Sequence, residues 1–170
     1  SIRQSIGAST GFSITRFVLG DISSGSYSWF KHGLGGANDN PDWVIVKRTA
    51  GSGIWAIWHS GVGTWSSANS GGKLGASGNS AWDGANIGAW FTSGSGSGMP
   101  TGDGNIWVNQ NAIYGGDVND SFICYAWKSV SGVSHFGTYS GQITSHPTSS
   151  SDPGWCGFKP RLVIGKRTDS

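Results

Sequence analysis

Gly or Ser interrupts nearly every window long enough for three helical turns in this chain, so an α-helix of ordinary length has almost nowhere to form. What lies between the interruptions is short and apolar. Gly alone supplies 30 of 170 residues and only 12% are charged, a composition that would leave the chain disordered if large apolar side chains were missing. Ten Trp, seven Phe and four Tyr reverse that expectation, because each large aromatic buries about 150–250 Å² and offsets the ordering entropy of many glycines. The balance points to one loop-rich all-β domain, or one and a fraction, with a substantial core.

Period-two alternation marks the strands. Phe12, Ile14 and Arg16 alternate with Ser13, Thr15 and Phe17 ahead of Gly20, and Tyr27–Lys31 follows, closed by His32-Gly33-Leu34-Gly35-Gly36 and the Asn38-Asp39-Asn40-Pro41 turn. Trp43–Arg48 is the strongest strand. Trp43, Ile45 and Lys47 fall on one face and Val44, Val46 and Arg48 on the other, so its middle is apolar on both sides and a central, covered position is expected. Residues 54–59 read as its hairpin partner. Residues 89–92, 106–108, 112–114 and 122–127 are further strands, with Asn109-Gln110-Asn111 as a tight turn, 62–84 as loops carrying short strands and 93–98 as a loop with no side chain to hold it in a core. Many short strands with turn chemistry between them favour a sandwich or closed barrel over βαβ units. The expected fold is all-β and sandwich-like, jelly-roll or lectin-like, with long Gly/Ser-rich loops.

One phrase occurs twice. Pro41, Asp42, Trp43, Val44, Ile45, Val46, Lys47, Arg48 and Thr49 return 119 positions on as Pro160, Arg161, Leu162, Val163, Ile164, Gly165, Lys166, Arg167 and Thr168. Gly11-Phe12-Ser13-Ile14-Thr15 has a looser counterpart in His135-Phe136-Gly137-Thr138-Tyr139. This is a duplicated strand motif, and it sets the expected organisation: a linker or edge segment over 1–10, a sandwich-like domain over 11–134, and the start of a second related repeat over 135–170. An apolar strand left half paired is a template for aggregation, so either Ser170 is not a natural end or another chain completes the sheet.

Eleven Lys or Arg against nine Asp leave a formal charge of +2, and apart from Lys47-Arg48 and Lys166-Arg167 the basic residues are scattered. No nucleic-acid partner is expected from that. No apolar run approaches the ~20 residues of a membrane span, so no membrane insertion is expected either. Cys124 and Cys156 both sit beside aromatics, and read as small buried hydrophobes, with a disulfide as the alternative.

Catalytic and metal chemistry find little support. His32, His59, His135 and His146 are far apart, without HxH, HExxH or CxxC spacing, and His32 in its Gly-rich turn is expected to bond backbone. Asp39 and Asp42 flank Pro41 while Asp83 and Asp103 precede Gly, places where Asp bonds nearby backbone. Asp103-Gly104-Asn105 and Asp117-Val118-Asn119-Asp120 group oxygen ligands but lack the alternate spacing of a calcium loop. No cofactor, no metal and no enzymatic activity are expected; a glycan-degrading enzyme, needing two carboxylates about 5–9.5 Å apart, ranks third among the readings.

Sugar binding fits the composition better, since aromatic faces stack on the C–H faces of pyranoses while amides bond hydroxyls. Trp65, Trp82, Trp90 and Trp107 lie in or beside polar, Gly-rich stretches, with Asn105 and Asn109 close by, and these six are the candidate ligand-binding residues. Trp43 and Trp127, inside apolar strands, are expected to be less exposed.

The ordered set Gly11-Phe12-Ser13-Ile14, His32-Gly33-Leu34-Gly35, Pro41, Val44-Ile45-Val46-Lys47-Arg48, Trp55 and His59 resembles an uncharacterised β-rich domain of large virion proteins in marine tailed phages, labelled tail fibre or tail-associated. Ser80-Ala81-Trp82, Ile123-Cys124-Tyr125-Ala126-Trp127, Phe136-Gly137-Thr138-Tyr139-Ser140-Gly141, Gly157-Phe158-Lys159-Pro160 and Lys166-Arg167-Thr168-Asp169 are similar to its later part, while residues 84–120 match poorly. The resemblance implies a virion-surface, extracellular setting, with host cell-surface glycans, copies of itself or other virion proteins as partners, and it transfers no catalytic residue. It leaves two main expectations: a glycan adhesin, or a purely structural assembly module of a fibre or capsid decoration.

Overall fold

A computed structural model of the chain describes residues 2–24, 27–36, 39–50, 55–62, 104–109, 119–138 and 155–165. The fold is all-β and sandwich-like, with eight strands among these residues: β1 Arg3–Gly7, β2 Phe12–Val18, β3 Ser23–Ser24, β4 Tyr27–Lys31, β5 Trp43–Arg48, β6 Trp55–His59, β7 Asn105–Asn109 and β8 Ser121–Trp127. The helical elements among them are three short 3-10 turns, at Ala8–Thr10, Leu19–Ile22 and Ser60–Val62.

Five strands form one antiparallel sheet in the order β1-β2-β8-β5-β6, and β3-β4-β7 form a second. The core lies between them. Phe17, Val44, Val46, Ala56, Trp58, Phe122, Cys124 and Ala126 face inward from the larger sheet to meet Phe30, Ile106 and Val108 of the smaller. Phe17 makes the crossing contact, its ring centroid 4.8 Å from that of Phe30 and 5.5 Å from that of Phe122. Leu19, after β2, and Leu34, after β4, join the same core.

β5 takes an interior place, paired on both sides by β8 and β6 but next to the edge strand rather than central, with Val44 and Val46 buried and Trp43, Ile45 and Lys47 half-buried on the outer face. β2 is less expected. Its inward residues are Ser13, Thr15 and Phe17, while Phe12 and Ile14 point outward. Buried hydroxyls need partners, and Gln4 of β1 supplies one: its amide nitrogen donates to Thr15 Oγ1 at 2.8 Å and to the Lys31 carbonyl at 2.6 Å. One side chain on the edge strand thereby ties the larger sheet to β4 of the smaller.

The second copy of the repeated phrase takes a different course from the first. Residues 135–138 and 160–165 lie outside any strand, and Leu162, Val163 and Ile164 are 65–77% exposed. The aligned triplet of β5, Trp43-Val44-Ile45, is buried or half-buried, and β8 and β6 pair its backbone on both sides. Among the described residues the copy has no such neighbours.

Candidate ligand-binding surfaces

Alternation decides which aromatics reach the surface. In β4 and β7 the inward residues are Phe30, Ile106 and Val108, which turns Trp29 and Trp107 outward, and they stand directly opposite each other in the register. Their ring centroids are 6.1 Å apart with planes inclined at 44°, so neither ring covers the other, and Trp29 is 41% exposed. Trp107 is half-buried against the core. Asn105 opens the same strand and is only 7% exposed; Asn109 ends it, its backbone paired with Tyr27. Trp65, Trp82 and Trp90 lie outside the described residues.

The outer face of the larger sheet carries side chains in registered rows. At one end stand Phe12, Trp127, Trp43 and His59 on four successive strands. Phe12–Trp127 and Trp127–Trp43 both stack at 4.9 Å, about the spacing of neighbouring strands, so these rings spend their faces on each other. Trp43 and Trp127 are thus half-buried, the same class as Trp107, although they come from apolar strands. Phe136 closes the end of this row at 5.9 Å from Trp43 and 6.3 Å from His59. Four residues along, the opposite end of the face holds Arg3, Arg16, Ile123, Lys47 and Trp55 in register across all five strands. Arg3 and Arg16 are exposed, Trp55 is 40% exposed, and the Lys47 ammonium sits 5.6 Å from the centre of the Trp55 ring.

The polar residues near Pro41 build structure. Asp42 accepts from Ser60 Oγ at 3.0 Å and from the Ser129 N–H at 2.7 Å, while its own N–H donates to the Trp127 carbonyl and its carbonyl accepts from Ser60 N–H. It clasps the ends of β5, β6 and β8 rather than only its own turn. Asp39 accepts from Lys128 Nζ at 3.0 Å and from the Gly36 N–H, and both hold its carboxyl below the usual 3.8. His32 is buried and bonds backbone, as expected of its Gly-rich turn, with Nδ1 accepting from the Leu34 N–H at 3.0 Å. His59 Nδ1 accepts from the Gly61 N–H at 2.9 Å; burial pushes its pKa below the ordinary 6.5, and Asp42 opposes the shift in part. Among the described residues no group of three or more His, Cys, Asp or Glu is placed to hold a metal ion, and no helix is long and apolar enough to cross a membrane.

Neither described cysteine is bonded. Cys124 is buried and its thiol pKa is raised by desolvation, whereas Cys156 is half-buried with its Sγ 3.0 Å from the Phe158 carbonyl oxygen.

Trp107 is among the candidates named from the sequence; Trp29, Arg3 and Arg16, which also lie on outer faces of the sheets, are not. The signal for Trp29 is its place one residue before Phe30, whose inward side chain sends it to solvent. No local signal marks the two arginines, whose adjacency depends on the pairing of β1 with β2.

Together these features define a β-sandwich module with exposed aromatic and cationic positions on its outer faces and a structural polar clasp at one end. The chain belongs to the DUF7483 family, a domain of unknown function, whose model matches residues 1–170. No curated protein and no solved structure matches it.

Proposed function

We propose that this chain is a surface module of a phage virion, a tail fibre or a related part, that adheres to host-surface glycans. The observation that carries the reading is the Trp29–Trp107 pair, two inclined indoles on the outside of a sheet with Trp29 open to solvent. Rigid aromatic faces present apolar area at little conformational cost, which suits the C–H faces of sugars. The sequence resemblance to virion proteins supplies the setting.

A glycan array probed with the wild-type chain and with Trp29→Ala tests it. The adhesion reading expects bound glycans whose signal falls in the variant while the melting temperature stays put. A wild-type chain that binds no glycan on the array overturns it.

The second reading, an assembly module contacting copies of itself or other virion proteins, is favoured by the exposed Leu162-Val163-Ile164 triplet, three consecutive strand-forming side chains. Solution mass by light scattering discriminates: concentration-dependent association abolished by Val163→Asp supports it, and a monomer at every concentration removes it.

A further inference from the structure

We infer that residues 161–165 of one copy add as an antiparallel strand to the outer edge of β1 in a second copy, a step that rests on the assembly reading and names the surface that receives the apolar triplet.

One molecule carries both halves of an unmade strand pair. β1 ends the five-stranded sheet, and among the described residues nothing pairs with its outer side. Arg3, Gln4, Ser5 and Ile6 are all exposed, whereas the strand at the other end of the sheet, β6, buries Ala56, Ile57 and Trp58. From Gln4 to Gly7, β1 has neither a charge nor a Pro, two of the devices that keep strand edges from pairing. The other half is the Leu162-Val163-Ile164 run, 65–77% exposed and rich in the branched side chains that strands favour. When an extended segment joins an open edge, main-chain hydrogen bonds supply affinity and alternate side chains supply specificity.

Charge fixes the direction and the register. Antiparallel pairing of Leu162 with Ile6, Val163 with Ser5 and Ile164 with Gln4 brings Arg161 opposite Gly7 and Gly165 opposite Arg3, so each guanidinium faces a residue without a side chain. A parallel strand over the same residues sets Arg161 beside Arg3, and like charges on facing strands are unfavourable. The same register decides the faces. Gln4 and Ile6 share the inward face with their partners Thr15 and Ser13, while Ser5 shares the outer face with Ile14. Ile6 already lies over Gly33, where an added Cβ would collide with its Cδ1, yet it is 48% exposed. Leu162 beside it covers that remainder, and Ile164 shields Gln4 where its amide bonds Thr15 and the Lys31 carbonyl. Val163 falls on the outer face beside Ser5 and continues the row of Ile14, Tyr125, Ile45 and Ile57.

Each copy gives one segment and receives another, so the contact closes into a ring or runs on as a filament. A strand the length of β1, five residues, covers less than the roughly 1,600 Å² of a standard interface, so association of free chains is weak and gains from repetition.

Disulfide trapping tests the pairing. Full chains with Cys156→Ser and either Ile6→Cys or Leu162→Cys are mixed and mildly oxidised, the buried Cys124 staying out of the reaction. This mixture is expected to crosslink about tenfold or more above one of Ile6→Cys with Val163→Cys, whose thiols point to opposite faces. Light scattering is the second readout. Gly165→Arg, at a position where a Cβ meets nothing within 4 Å, sets two guanidinium groups opposite each other and is expected to weaken association about twofold to fivefold, with Arg3→Glu in the same chain restoring it. Association accompanied by equal crosslinking of the two mixtures, or left unchanged by Gly165→Arg, overturns the role of β1 and leaves the assembly reading standing. Chains that stay monomeric at every concentration remove both.

Discussion

Arg48 of β5 donates from its guanidinium to the carboxylate of Asp120 across 2.7 Å, although 72 residues separate the two in the chain. Both side chains are partly buried, and the same corner is secured by the Thr49 N–H and hydroxyl, which donate to the Ser121 carbonyl at 2.9 and 3.0 Å. Replacing Asp120 with Ala strands a half-buried guanidinium and is expected to cost about 1.5–3 kcal/mol in urea denaturation. Arg48→Met combined with Asp120→Ala is expected to lose less than the sum of the two single changes. Additive losses would mean that the pair contributes no coupling.

Gly11 joins the first 3-10 turn to β2 at φ 65°, and a Cβ there would lie 2.6 Å from the Lys128 carbonyl oxygen and 2.6 Å from Val130 Cγ2. Its own carbonyl accepts from the Lys128 N–H at 2.8 Å, so the strand cannot retreat without breaking that bond. Gly11→Ala is expected to destabilise by more than about 1 kcal/mol, through both left-handed strain and close approach. Gly36→Ala, where a Cβ meets nothing within 4 Å, is the control and should melt close to wild type.

The two thiols are expected to separate under alkylation. In the native chain iodoacetamide should modify Cys156 and spare Cys124, because burial suppresses the thiolate of Cys124 as well as access to it. Mass spectrometry of tryptic peptides reads the ratio directly. Equal labelling without denaturant would place Cys124 outside the core.

His59 gives the fold a pH dependence of definite sign. Its folded pKa lies below the ordinary 6.5, so its contribution is complete above that value and is lost as pH falls through it toward the folded pKa. Protonation also removes the Nδ1 acceptor of the Gly61 N–H. Melting temperature should therefore fall between mildly alkaline and mildly acidic pH, and His59→Gln should flatten that part of the curve. A steeper profile in the variant would assign the dependence to another group.

Strands were legible where the sequence alternates without interruption. Tyr27–Lys31 and Trp43–Arg48 stand where the pattern puts them, and the two faces of β5 divide as its side chains require. β2 was legible as a strand but not in its facing, because Ser13 and Thr15 look like solvent residues until Gln4 arrives from β1 to bond Thr15. The exposed position of Trp29 follows from Phe30 beside it, whereas the Arg3–Arg16 pair and the Phe12–Trp127–Trp43 stack depend on strand order, which nothing local encodes. Pattern matching also treats two copies of one phrase alike. Leu162, Val163 and Ile164 lack the neighbours that β5 has on both sides, and Gly165 stands where β5 has Val46.

The order of strands in the larger sheet has a bearing on how the chain is made. β8 is the last strand by sequence among the described ones and the middle one in space, joining β2 to β5. At a synthesis rate of about 5–20 residues per second, β2 waits on the order of ten seconds for residues 121–127 to be made. Until then the half-sheets on either side present unsatisfied apolar edges at the ribosome. A nascent chain of this kind is a natural client for holding chaperones, and its yield in a heterologous host should respond to their supply more than to changes at its surface.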